Sequence, residues 1–184
     1  MTWGKLLQPD LIIQGSVLHL TPALLQQYQL QGLVLDVDET LVPMHLDEAA
    51  TELVPWLAEI RQMIPVWLVS NNIRQGRIGR IAQSLDLPYI AGAGKPSRRK
   101  LRQAVAAMNL PAERVAMVGD RLFTDVLAGN RLGMFTILVE PMVYENHQRR
   151  SPFFAFEVWL SKALGASLVF PGAGSVCSQE HQGD

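Results

Sequence analysis

Apolar residues gather along the chain in five short runs, at positions 33–35, 66–69, 89–91, 115–118 and 135–139. The run at 33–35 has no 3.6-residue recurrence, and consecutive apolar side chains of this length predict a strand covered on both faces. Helical patterns fill the intervals. Thr21-Pro22 reads as an N-cap followed by proline at the first helical position, opening a short helix to about residue 28. Residues 47–62 are helical by composition, with Pro55 dividing that helix or beginning its second part. Ile78, Ile81 and Leu85 form the apolar stripe of a helix over 73–85, and Arg74, Arg77 and Arg80 are expected on a side facing away from the core. Leu101, Val105 and Met108 mark a helix that begins at Pro96 or Ser97 and ends near Asn109. A last helix runs from Thr124 to about Arg131, closed by Gly133.

Strand and helix thus alternate five times, which predicts an α/β fold: a doubly wound parallel sheet of the Rossmann type. The predicted organisation is an irregular packing arm (1–20), a core (21–141), a polar linker leading to an aromatic helix (142–170), and a disordered tail (171–184).

Composition narrows this picture. With 184 residues, 48% of them hydrophobic, the chain suits one domain with a single sizeable core. The formal net charge of −1 supplies no global basic field, so nucleic acid is not an expected partner. The single cysteine, Cys177, permits neither a disulfide framework nor a cysteine-based metal site and is compatible with a reducing cytosol. MTWGKLLQPD meets an acid too soon for a signal peptide, and no run approaches about eighteen apolar residues. The expectation is a cytoplasmic protein, soluble or peripheral at a membrane.

The candidate chemistry starts at the end of the first strand. Asp36 and Asp38 lie two residues apart in GLVLDVDETLVP, so in an extended segment both carboxylates face one crevice. Their repulsion is relieved by a cation or a shared proton, and magnesium with phosphate is the economical reading. Three further polar stretches follow later strands: LVSNN with Ser70 and Asn71, GKP with Lys95, and GDRLFTD with Asp120 and Asp125. Each has a plainer explanation alone, since Ser70-Asn71 could cap a helix, Lys95 could be a solvated loop lysine, and Asp120 and Asp125 could favour a helix N-terminus. Their shared position after successive strands argues for a joint metal-phosphate site.

The DxDxT sequence at Asp36 to Thr40 and the three later stretches, in this order, resemble the motifs of the haloacid dehalogenase (HAD) superfamily of phosphohydrolases. The block VGDRLFTDVLAGNRLGMFTILVEP and the early LLQPDLIIQGSVLHLTPALL are similar to the YqeG-like branch of HAD phosphatases, which includes phosphatidylglycerophosphate phosphatases. The resemblance spans roughly residues 6–141, and Glu39 stands where that branch more often has asparagine. It implies that Asp36 is the nucleophile of an aspartyl-phosphate and that Asp38 protonates the leaving oxygen and then activates water. It further implies Mg2+ held by Asp36, the Val37 carbonyl and Asp120, with Asp125 acting directly or through water, and Ser70, Asn71 and Lys95 on the phosphoryl oxygens.

The spacing leaves no room for a cap. Asp38 to Ser70 holds one helical region, and Ser70 to Lys95 one helix and one short strand. An open site suits a phosphate carried on something large, such as a lipid headgroup, a protein or a polymer, and converges with the family resemblance on phosphatidylglycerophosphate. The rival readings are a phosphatase of soluble nucleotides, sugars or phosphoproteins, and a non-catalytic domain that binds phosphate or partners. A receiver domain is disfavoured because Lys95 precedes the last acids. Two features stay open: Arg98, Arg99, Lys100 and Arg102 form a solvated helix face or meet an anionic substrate or membrane. Phe153, Phe154, Phe156, Trp159 and Leu160 belong to a helix packed on the core or to an interfacial segment, with Arg149, Arg150 and Lys162 near lipid phosphates.

Overall fold

Leu33, Val34 and Leu35 are fully buried in strand β2 (Gly32–Leu35), as consecutive apolar side chains require when both faces of a strand are covered. The pleat divides them. Leu33 and Leu35 pack with Leu53, Ile60, Ile78 and Ile81, whereas Val34 packs with Leu101, Ala104 and Val105. Helices α3 (Leu53–Arg61) and α4 (Gln75–Ser84) therefore contribute to one face of the sheet and α5 (Arg99–Met108) to the other. Each such side chain, fully buried, contributes about 1.5–3 kcal/mol of transfer free energy.

In the computed structural model, which describes residues 3–44, 46, 50–142 and 163–165, six parallel strands form one sheet in the order β1 (Leu11–Ile12), β6 (Phe135–Leu138), β5 (Val115–Gly119), β2, β3 (Val66–Val69), β4 (Tyr89–Ile90). β2 lies between β3 and β5. β4 extends the sheet beyond β3, and β6 extends it beyond β5. The chain winds outward from β2 to β4 and then returns to β5 on the other side, so the direction of winding switches at the β2–β5 boundary. Crevices open at the carboxyl ends of the strands at such a switch point. This is a Rossmann-like doubly wound sheet, and no large cap intervenes among the described residues.

Three local features differ from the sequence-based expectations. The leading segment is not wholly irregular: after α1 (Trp3–Leu6), Leu11 and Ile12 form β1, which pairs with Ile137 and Leu138 as a sixth, edge strand. A two-residue strand is too short to show a period, and it exists because β6 offers it a ladder. The helix expected over 47–62 begins only at Leu53; Pro55 then falls in its first turn, where a missing N–H costs no intrahelical bond. The helix expected from Thr124 opens instead with a π-helical turn, Leu122–Val126, continued by α6 (Leu127–Leu132) and closed by Gly133 at φ +79°. Helix α2 (Pro22–Gln27) follows the expectation, with Thr21 Oγ1 accepting from Leu24 N at 3.4 Å. The segment 153–160 lies outside the described residues. No helix among those described is long and apolar enough to cross a membrane.

Candidate active site

The carboxyl ends of four strands deliver the site. Asp36 follows β2 directly and Asp120 follows β5 directly, and because these strands are neighbours the two carboxylates meet across the switch point. Asp125 reaches the same spot from the π turn. Its carboxylate lies over Gly119, where an added Cβ would stand 2.4 Å from Asp125 Cγ, so a side chain at 119 would displace it. Carboxylate oxygens of Asp36, Asp120 and Asp125 all lie within 4.8 Å of one another, and all three residues are buried. Thr40 Oγ1 donates between two of them, at 3.2 Å from Asp120 Oδ1 and 3.4 Å from Asp36 Oδ2.

Lys95 enters from the loop after β4. Its ammonium group is buried, 2.5 Å from Asp36 Oδ1, 2.6 Å from Asp125 Oδ1 and 3.1 Å from the Val69 carbonyl. Asn71 holds this loop in place: its Nδ2 donates to the Lys95 carbonyl at 3.0 Å and its Oδ1 accepts from Lys95 N at 2.7 Å. Burial opposes the ammonium charge, but Asp125 and Asp36 outweigh it and hold Lys95 above its usual range.

Burial pushes the Asp36 carboxyl up to about 7 against the opposing pull of Lys95, with Asp125 and Asp38 adding repulsion. Burial also raises Asp120 well above the ordinary carboxylate range, and Asp36 and Asp125 add to it; Arg121, with Nε 3.8 Å from Asp120 Oδ2, works the other way. The Asp125 Oδ1 atom accepts no hydrogen bond of proper alignment and faces the Lys95 charge at 2.6 Å. Three crowded carboxylates held by oxygen-only geometry fit a hard divalent cation, which would complete the charge balance that one lysine leaves short. The Val37 carbonyl, the fourth ligand expected from the sequence, lies in the turn after β2. It accepts from Leu41 N and Val42 N, both at 3.0 Å.

Asp38 occupies the opposite wall. Its Oδ2 accepts from Ser70 Oγ at 2.6 Å and its Oδ1 from Arg77 Nη1 at 2.5 Å. Ser70 is buried after β3, and its Oγ also accepts from Asn72 N at 2.9 Å. Arg77 corrects the expectation of an outward basic side: only 6% exposed, it also donates to the Pro43 carbonyl at 2.9 Å and, through Nε, to the Leu46 carbonyl at 3.0 Å. Arg74 and Arg80 are exposed as expected. The available signal was spacing, because Arg77 stands four residues before Ile81 and so borders the apolar stripe of α4. A crevice of about 470 Å³, lined by Asp36, Asp38, Asn71, Arg77, Lys95 and Thr124 among others, opens between these walls. The structure thus brings together every side chain singled out in the sequence: Asp36, Asp38, Ser70, Asn71, Lys95, Asp120 and Asp125.

Known proteins share this arrangement of sequence and fold. The HAD-hydrolase-like family model matches residues 92–157. A Bacillus subtilis protein named "Probable phosphatase YqeG" is 37% identical over 139 residues, covering 75% of this chain and 80% of that protein. The chloroplastic phosphatidylglycerophosphate phosphatase 1 of Chlamydomonas reinhardtii is 31% identical over 121 residues, covering 61% of this chain and 45% of that protein. Among solved structures, a haloacid dehalogenase-like family hydrolase from Xanthomonas campestris superposes with a TM-score of 0.50 at 15% identity, covering 74% of this chain and 92% of its own. With a relative matched along most of its length and an acid cluster at the switch point of the expected sheet, the chain belongs to the HAD-like phosphatases of the YqeG kind and is a phosphoric monoester hydrolase.

Proposed function

We propose that the chain is a Mg2+-dependent phosphatase that works through an aspartyl-phosphate on Asp36 and dephosphorylates phosphatidylglycerophosphate to phosphatidylglycerol. The observation that carries this reading is the division of labour between the two acids of the first motif. Asp36 is packed among Lys95, Asp120 and Asp125, while Asp38 stands apart, held by Ser70 and Arg77.

In the first step an Asp36 oxygen attacks phosphorus, the bond from phosphorus to the ester oxygen breaks, and Asp38 gives its proton to the departing alkoxide. In the second, Asp38 as carboxylate takes a proton from water, whose oxygen attacks phosphorus and releases phosphate and Asp36. Asp36, Asp120 and Asp125 would hold Mg2+, which would supply charge neutralisation for the phosphoryl group. Lys95 keeps one Asp36 oxygen in place and adds a buried positive charge. The Ser70 hydroxyl, which donates to Asp38 Oδ2, turns to a phosphoryl oxygen when substrate enters and so frees that Asp38 oxygen for proton transfer.

The lipid assignment rests on the open crevice and on the Chlamydomonas relative, whose name carries that substrate. It implies a protein of the cytoplasm that works at a membrane surface. The test is Mg2+-dependent phosphate release from phosphatidylglycerophosphate in mixed micelles, beside a panel of soluble phosphomonoesters, with Asp36→Asn as control. The expected result is preference for the lipid and a loss of at least about 10³-fold in the folded Asp36→Asn protein, since no other group replaces the nucleophile. Preference for a soluble ester would remove the lipid assignment, and an active Asp36→Asn would remove Asp36 as nucleophile.

A further inference from the structure

The edge of the sheet that bears the crevice has two surface features the chemistry leaves unused. At the mouth, Ile73 is 83% exposed and Met44 57% exposed, beside the acids and Lys95. Exposed apolar side chains at the entrance of a strongly polar site do nothing for binding phosphate and cost solubility. From the start of α5 at that edge, and running down between α5 and α6, a second groove of about 750 Å³ is lined by Arg98, Arg99, Arg102 and Arg131 among others, and no acidic side chain lines it.

These four arginines are exposed. Arg98 Nη1 donates to the Arg131 carbonyl at 3.0 Å and Arg131 Nη1 to the Pro96 carbonyl at 2.9 Å, which orients both groups without neutralising either. Arg99 and Arg102 pair with no acid among the described residues. In a chain of net charge −1, such an array is a local excess of like charge that an anionic surface would relieve.

The crevice mouth and the groove share no lining residue, but the loops beside them are joined. Gly92 N donates to the Asn72 carbonyl and Ala93 N to the Ser70 carbonyl, both at 2.9 Å, so the loop leading to Arg98 is tied to the loop bearing Ile73. Parallel winding also starts α4 and α5 at this one edge. A small soluble anion is bound by buried, converging donors; exposed guanidinium groups on two helices, with apolar tips at the separate crevice mouth, match instead an extended sheet of phosphates over hydrocarbon.

We propose that this edge is a docking face for an anionic bilayer, with Arg98, Arg99, Arg102 and Arg131 on lipid phosphates and Ile73 and Met44 entering the headgroup region at the crevice mouth. The inference deepens the lipid reading of the crevice and rests on it for the orientation of the site. The face would present the crevice to a phosphate monoester projecting from the membrane and would explain how an uncapped phosphatase gains selectivity.

The test uses the full chain with sedimented vesicles of phosphatidylcholine containing phosphatidylglycerol, against vesicles of phosphatidylcholine alone. Binding is expected to the anionic vesicles only and to weaken with salt as screening shortens. Each arginine is expected to contribute roughly fivefold in affinity, so Arg99→Gln with Arg102→Gln should lower binding by at least about tenfold. The same double variant should keep its rate on a soluble phosphomonoester, and Ile73→Ser should reduce the binding that persists at high salt. Equal binding to neutral vesicles, no binding to anionic ones, or no effect of the arginine variants would overturn the proposal. Retention on single-stranded RNA without retention on vesicles would also overturn it. Vesicle binding of the expected kind without turnover of phosphatidylglycerophosphate would uphold the docking face while rejecting the lipid substrate.

Discussion

Arg77 illustrates how much one side chain can organise. It spans the crevice wall, meeting the Asp38 carboxylate and the carbonyls of Pro43 and Leu46. Truncation would leave the mostly buried Asp38 carboxylate without its cation and take one donor each from the Pro43 and Leu46 carbonyls. Arg77→Ala is expected to cost about 3 kcal/mol of stability, read by urea unfolding, because breaking one side of a buried pair strands the other. It should also lower kcat by at least about tenfold with a smaller change in KM, since Asp38 loses the group that aims it. Arg77→Lys, which keeps the charge but not the fork, should recover part of the stability and less of the rate. Neighbouring Glu39 makes a quieter point. It sits at φ +68°, a left-handed conformation in which asparagine is more at ease, and its Oε1 accepts from Met44 N at 2.9 Å. The glutamate is compatible with the site because it does not line the crevice and its carboxylate is occupied by the Met44 amide.

Among the elements, the short edge strand β1 has the strongest dependence on its surroundings. Asp10, just before it, accepts from Thr136 N at 2.7 Å and Thr136 Oγ1 at 3.0 Å, while Asp10 N donates to the Thr136 carbonyl at 3.0 Å. Thr136 is fully buried, so its donors have no water to turn to. Asp10→Ala is therefore expected to destabilise the fold by about 1–3 kcal/mol, measured by thermal or denaturant unfolding, while leaving the crevice acids in place. The π turn plays the complementary part at the site. Its wider winding, next to a glycine at 119, lets Asp125 come back over the end of β5.

At the scale of the whole molecule, the acid cluster couples the site to stability. Asp36 titrates near 7 in the folded, metal-free chain against an ordinary value of 3.8, so between these values the folded state holds more protons than the unfolded one. Its contribution to stability is then greatest in acid and is lost as pH rises through that window; the raised Asp120 acts in the same direction. A divalent cation competes with those protons. Mg2+ should accordingly raise the melting temperature more at about pH 8 than at about pH 5, where the carboxyls are protonated. A shift independent of pH, or absent at both, would separate these acids from metal binding.

The sequence by itself determined the sheet-forming runs and the acids at their tips, because both are local: a buried strand writes itself as consecutive apolar residues, and its carboxyl end is the next position along. The parallel winding and the order of Asp36, Ser70, Lys95 and Asp120 follow from that alone. Only the tertiary structure decided which groups meet. Lys95 reaches Asp36 across 59 residues and Arg77 reaches Asp38 across 39, distances over which no periodicity carries information. The Val37 carbonyl, expected on the metal, accepts two backbone donors in the turn after β2, a commitment no sequence pattern shows. β1 is a strand only beside β6, since two residues cannot specify a ladder without a partner that supplies it. Periodicity records which face of an element is covered; hydrogen-bond commitments and charge pairing depend on what covers it.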